Sequence, residues 1–184
     1  MLVVADAEKL PVDGARRGER EAWEVLFRRY QLPLYVYIFE LVRDEQAALD
    51  LVQETFINAS RHLASLREDG KMGSWLFGIA HQKCVQHWRR QKREWIFSEE
   101  EPGDVFATGD DPAEILVREE QEEAFMKLLE KLPEAQRSVL LLHFVEEFSI
   151  EEIAQITGTR PGTVKSRMHY ARRALRSLWQ EDQS

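Results

Sequence analysis

The residues best suited to chemistry in this chain are cations. Lys165, His169, Arg172 and Arg176 fall at i, i+4, i+7 and i+11, which is one stripe of a helix with 3.6 residues per turn. Residues 159–179 hold six Arg/Lys and no acid. A merely solvated surface helix usually mixes signs, so a stripe of one sign points to a polyanion. Such cations neutralise phosphates, and the early side chains of a helix lying in a major groove reach base edges. Thr163, Lys165, Ser166, Arg167 and His169 are placed for base edges, and Arg172, Arg173 and Arg176 for phosphates. A second set, His87-Trp88-Arg89-Arg90-Gln91-Lys92-Arg93, interleaves aromatic and basic side chains. This is the combination that holds single strands. Taken alone, it reads equally as a core Trp88 followed by a solvated basic helix end.

Little in the chain suits catalysis. His81 and Cys84 are spaced as a metal pair, but two ligands without a second pair are a weak signal. His62, His87 and His169 have no partner motif. His143 is followed by Phe144-Val145-Glu146-Glu147, which is not a zinc protease signature, and no phosphate loop or Gly-x-Ser-x-Gly occurs. No enzyme activity, catalytic residue, metal or cofactor is expected.

These residues need helices to position them. Good helix formers dominate, and no segment alternates as a strand would. In Glu19–Val42 the apolar residues Trp23, Phe27, Tyr30, Leu34, Ile38 and Leu41 form one expected buried stripe, bent at Pro33. Asp44–Leu66 repeats the pattern with Ala48, Leu51, Val52, Phe56, Ala59 and Leu63. Glycines and charges make Arg67–Gly73 a loop, and Ser74 is expected to cap a helix from Trp75 to about Arg93, with Trp75, Phe77 and Ile79 in the core. Asp111-Pro112-Ala113-Glu114 signals a helix start running to about Leu132, and Pro133 opens another. Ser149-Ile150-Glu151-Glu152 reads as a capping box. Ile150, Ile153 and Ile156 follow, then Gly158 as a left-handed stop and Pro161 at the next first turn. Val164, Met168, Ala171, Leu175 and Leu178 share the apolar stripe of that last helix. A short helix, a Gly-centred turn and a cationic helix make a helix-turn-helix.

The net charge of −8 conceals blocks. Residues 61–95 carry eight Lys/Arg against three acids, whereas residues 98–124 carry eleven acids against Arg118. An acidic segment therefore separates two basic ones, and Pro102, Gly103 and Gly109 mark it as a linker. The expected fold is all-α: two small helical domains, residues 1–95 and 113–184, joined by a flexible acidic linker at 96–112. The single cysteine fits a reducing compartment. No apolar run approaches membrane-spanning length, and residues 1–22 lack a leader pattern, so a cytoplasmic location without membrane insertion is expected.

Three segments in this order, Asp50-Leu51-Val52-Gln53-Glu54-Thr55-Phe56, Trp75-Leu76-Phe77-Gly78-Ile79-Ala80 and Gly162-Thr163-Val164-Lys165-Ser166-Arg167, closely resemble sigma factors of the extracytoplasmic-function class. The resemblance spans about residues 15–180. It implies a subunit of bacterial RNA polymerase that recognises and melts promoters. Asp50, Gln53 and Glu54 would dock on the clamp helices of the largest subunit, and the polymerase flap would be a second contact. The loop Arg67–Gly73 and the helix after it resemble the element that captures a base flipped from the non-template strand. Lys71, Gln82, Lys83, Gln86, Trp88, Arg89 and Arg90 would follow that strand. Gln82 stands where the family often has Asn. Arg160-Pro161 replaces a frequent Ser cap, and Arg160 joins Thr163, Lys165, Ser166, Arg167, His169, Arg172 and Arg173 as a contact to the duplex upstream box. An anti-sigma partner is also implied. One rival reading is a helix-turn-helix regulator outside the polymerase holoenzyme, which leaves the N-terminal matches unexplained. Another is a helical adaptor that binds only protein.

Overall fold

The computed structural model describes residues 10–94, 126–144 and 146–182. Its regular elements there are helices: α1 (Val12–Arg16), α2 (Arg20–Val42), α3 (Glu45–His62), α4 (Met72–Glu94), α5 (described over 126–130), α6 (Glu134–Phe144), α7 (Ile150–Thr157) and α8 (Pro161–Asp182). Short 3-10 turns at Leu63–Ser65 and Asp69–Lys71 lie between α3 and α4. The acidic segment 96–112 and the helix start at Asp111-Pro112 lie outside the described residues.

Helices α2, α3 and α4 pack on one another, with α1 strapped across α2. The buried face of α2 carries Leu26, Tyr30, Leu34, Tyr37, Ile38 and Leu41. Phe27 is not part of it: the ring is 43% exposed and meets Phe56 at 4.8 Å, outside the core. The physical reason is that Leu26, Tyr30, Pro33, Leu34 and Tyr37 form a continuous i, i+3/i+4 row, and Phe27 lies a step round from that row. Asp44 caps α3 by accepting from Ala47 N–H at 2.7 Å, the bond expected of a short acidic side chain there. Ser74 does not cap α4, which begins at Met72 after a 3-10 turn. The buried Ser74 hydroxyl donates instead to Lys71 O at 3.2 Å. Phe77 is fully buried, while Trp75 and Ile79 are only half-buried against the core.

In the C-terminal half, Ser149 and Glu152 form the reciprocal capping box. Ser149 N–H donates to Glu152 Oε2 at 2.9 Å, and Glu152 N–H donates to Ser149 Oγ at 3.3 Å. Gly158 closes α7 in the left-handed region with φ 66°, where a side chain would be strained. Ile153, Ala154 and Ile156 of α7 meet Val164, Met168, Ala171 and Leu175 of α8 in one buried layer. Ile150 and Leu178 sit half-buried at its edge.

The two halves touch. Helix α7 lies along α4, and α6 lies against α2, so the buried apolar residues of both halves form one cluster. Phe148 sets its ring edge on Phe77 at 5.2 Å. Where Gly78 lacks a side chain, Ile156 Cα lies 3.9 Å from the position a Cβ would take. Buried Arg137 donates to Glu40 O at 2.9 Å and to Leu132 O at 3.1 Å. Arg43 bridges Glu40 and Glu130, the latter at 2.8 Å.

Candidate nucleic-acid interface

Helix α8 presents its cations unequally. Arg160, Lys165, Arg173 and Arg176 are exposed. Thr163, Ser166, Arg167, His169 and Arg172 are half-buried. Ser166 turns its hydroxyl back to Gly162 O at 3.0 Å, a local bond typical of Ser within a helix. The Arg172 guanidinium lies 5.6 Å over the Phe144 ring, within cation–π range. His169 meets Tyr170 edge-on at 5.7 Å. Arg167 lies near enough to α4 for its charge to act on His81. The exposed cations are thus Arg160, just before α8, and Lys165, Arg173 and Arg176 on one flank of the helix, rather than the whole expected set.

On α4, Gln82, Gln86, Arg89 and Arg90 are exposed and follow one flank at i, i+4 and i+7/i+8. Lys71 is exposed at the start of the helix, 3.2 Å from Glu68. Lys83 is drawn off this flank to Glu54 of α3 at 2.9 Å, and Trp88 is half-buried against the core. Beside Gln82 opens a cavity of about 400 Å³. Arg67, Lys71, Trp75 and Gln82 line it from one half, and Gln155 and Ile156 of α7 line it from the other.

Behind the cavity, His81 Nδ1 and the Tyr37 hydroxyl share a hydrogen bond at 2.9 Å. Burial, with a lesser contribution from the Arg167 charge, lowers the His81 ring to about 4, so it is neutral at pH 7. Burial raises the Cys84 thiol to about 12, far from the thiolate form that binds metal or reacts. His81 and Cys84 are therefore core groups of α4, and no cluster of three or more metal-ligating side chains occurs among the described residues.

Asp50, Gln53 and Glu54 are all exposed on α3. Leu49 and Ile57, 49% and 45% exposed, flank them on the same helix. Neither belongs to the expected contact set, although their offset from the buried stripe beside the carboxylates is a signal in the sequence. Nor does Arg16. From α1 this side chain donates to Leu66 O at 2.8 Å and pairs with Asp69 at 2.7 Å, fifty residues away in the chain, where no local pattern signals it.

Residues 26–94 match the family model "Sigma-70 region 2", and residues 122–175 match "Sigma-70, region 4". RNA polymerase sigma factor YlaC of Bacillus subtilis (strain 168) is 34% identical over 159 residues, 85% of this chain and 91% of that one. ECF RNA polymerase sigma factor SigW of the same organism is 27% identical over 176 residues, 91% of this chain and 94% of that one. Among solved structures, the sigma factor RpoE in complex with the anti-sigma factor NepR, from Bartonella quintana, superposes with a TM-score of 0.64 at 27% identity, covering 85% of this chain and 98% of that one. No helix among the described residues is long and apolar enough to cross a membrane.

Proposed function

We propose, from the premise that this chain belongs to the sigma-70 family and to its extracytoplasmic-function class, a division of labour between its two halves during promoter recognition. The observation that carries the reading is the presence, in order and in one chain, of both region 2 and region 4, each built on a helix with a basic free flank. The α8 flank reads the duplex upstream box: Lys165 reaches base edges, and Arg160, Arg173 and Arg176 reach phosphates. The α4 flank takes the separated strand. Gln82, Gln86, Arg89 and Arg90 follow its backbone, and the cavity beside Gln82 receives an unstacked base. Asp50, Gln53 and Glu54, with the flanking Leu49 and Ile57, dock on the polymerase clamp helices, and the C-terminal half docks on the flap. The chain performs no chemistry. Melting becomes favourable because the open strand is bound by α4 and the duplex is not. Polymerase sets the place of work, the cytoplasm. By analogy with the RpoE–NepR pair, an anti-sigma partner holds the protein inactive.

Since α7 forms one wall of the cavity, a strand and α7 compete for the same space. The compact form described above is then the resting form, and the halves part on polymerase. The decisive experiment adds the purified chain to core polymerase and sequences the transcript starts. New starts downstream of one shared two-box sequence are expected. Unchanged starts, with promoter binding by the chain alone, would instead make it a regulator outside the holoenzyme.

A further inference from the structure

The loop that borders the strand-capturing cavity is tied down by a residue outside the matched family regions. Region 2 matches from residue 26 onward, and Arg16 lies ten residues before it. Helix α1 is held firmly for its five residues. Val12 is fully buried and Ala15 nearly so, and the Trp23 indole N–H donates to Ala15 O at 3.0 Å. From this strap Arg16 Nη2 donates to Leu66 O at 2.8 Å and meets Asp69 Oδ1 at 2.7 Å, while Nη1 donates to Asp13 Oδ1 at 2.8 Å. The guanidinium is thus fixed from its own helix and grips the loop at two points, one before and one within the 3-10 turn Asp69–Lys71. The cavity residues Arg67, Glu68 and Lys71 lie between or beside those points.

On the reading of this cavity given above, we infer that Arg16 is a positioning residue for promoter opening. It holds the 66–71 loop in the shape that receives the unstacked base. Buried Leu66 and the 3-10 turn Asp69–Lys71 order the loop in part, and any freedom left around exposed Gly70 that is lost on binding would be subtracted from the capture free energy. The planar fork of an arginine suits a carbonyl and a carboxylate side by side, and lysine cannot reproduce both bonds. The contact adds little to overall stability, because Arg16 and Asp69 are 27% and 40% exposed, and pairs so exposed contribute little. Its effect is on geometry.

The test separates binding from opening. Holoenzyme made with wild type, Arg16→Ala, Arg16→Lys or Asp69→Asn is followed on duplex promoter by strand-opening kinetics at increasing enzyme, and on a template already unpaired across the downstream box. Arg16→Ala is expected to slow the opening step about tenfold while leaving the initial closed-complex affinity and the melting temperature near wild type. Asp69→Asn should share the defect, Arg16→Lys should recover part of it, and the unpaired template should narrow the gap between variants. Opening by Arg16→Ala at the wild-type rate would overturn the inference, as would a defect of equal size in closed-complex affinity or an Asp69→Asn variant indistinguishable from wild type. If wild-type holoenzyme itself fails to initiate at any promoter, the functional reading beneath the inference is what has failed.

Discussion

Lys165 and Arg173 stand on the same exposed flank of α8, yet they are expected to behave differently when removed. Lys165 lies in the first turns of the helix, where side chains reach base edges. Lys165→Ala should cost about 1–3 kcal/mol on the preferred upstream box and relax the preference at one base pair. A panel of promoter variants checks this, and uniform weakening across the panel would reassign Lys165 to phosphate. Arg173 lies two turns further on. Arg173→Ala should weaken every sequence alike and reduce the slope of log affinity against log salt by about one unit, read from holoenzyme titrations at several salt concentrations. The charge pattern made both residues visible in the sequence. It could not show that Arg172 is half-covered against Phe144 or that Arg167 lies near His81 of α4, because those neighbours come from other helices.

Elements with strong local signals were legible in detail. The Ser149/Glu152 box, the Gly158 stop and the apolar row of α8 all lie within a few residues of their partners, so short-range chemistry alone specifies them. Ser149→Ala should destabilise the C-terminal half by about 1 kcal/mol, seen in a chemical denaturation curve of the full chain. A loss within error would mean that packing of Ile153 and Ile156 alone holds α7. Elsewhere tertiary packing overrode the local pattern. Met72 is fully buried, and anchoring it starts α4 two residues before the Ser74 that resembled a cap. Phe27 fitted a spacing of three and four, but it lies a step round from the buried row and meets Phe56 of α3 with its ring 43% exposed. Helix α1 has five residues, too few for periodicity to reveal.

The molecule as a whole is held shut along the α4–α7 seam, and the loop between α6 and α7 contributes an ionisable group there. Burial raises the Glu146 carboxyl to about 7, and its Oε1 has no hydrogen-bond partner. Its charge acts on Tyr30 and Tyr37 of α2. A carboxyl with a raised value binds its proton more tightly in the packed form. Its contribution is therefore fully favourable below about 4.5, is lost as pH climbs toward about 7 and stays lost above that. His81 acts in the opposite sense. Lowered from 6.5 to about 4, it favours the packed form above 6.5 and costs stability as pH falls between those values. Glu146→Gln should accordingly raise the melting temperature at pH 8 by about 2–4 °C. That corresponds to about 1 kcal/mol, below the full value of the shift because the side chain is only half-buried. At pH 4.5 the variant and wild type should coincide. Thermal melts across this range check the prediction, and equal melting temperatures at pH 8 would show that Glu146 is already solvated or paired.

By itself the sequence determined the helical class, the two basic flanks, the helix-turn-helix and the family resemblance, because each rests on spacing within one helix or on the order of short motifs. Only the tertiary structure decided that α7 closes the cavity beside Gln82, that Lys83 answers to Glu54, and that Arg16 reaches Leu66 and Asp69. Those are meetings of residues far apart in the chain. No periodicity records them, since they arise only when buried faces choose their partners and bring unrelated side chains within bonding distance.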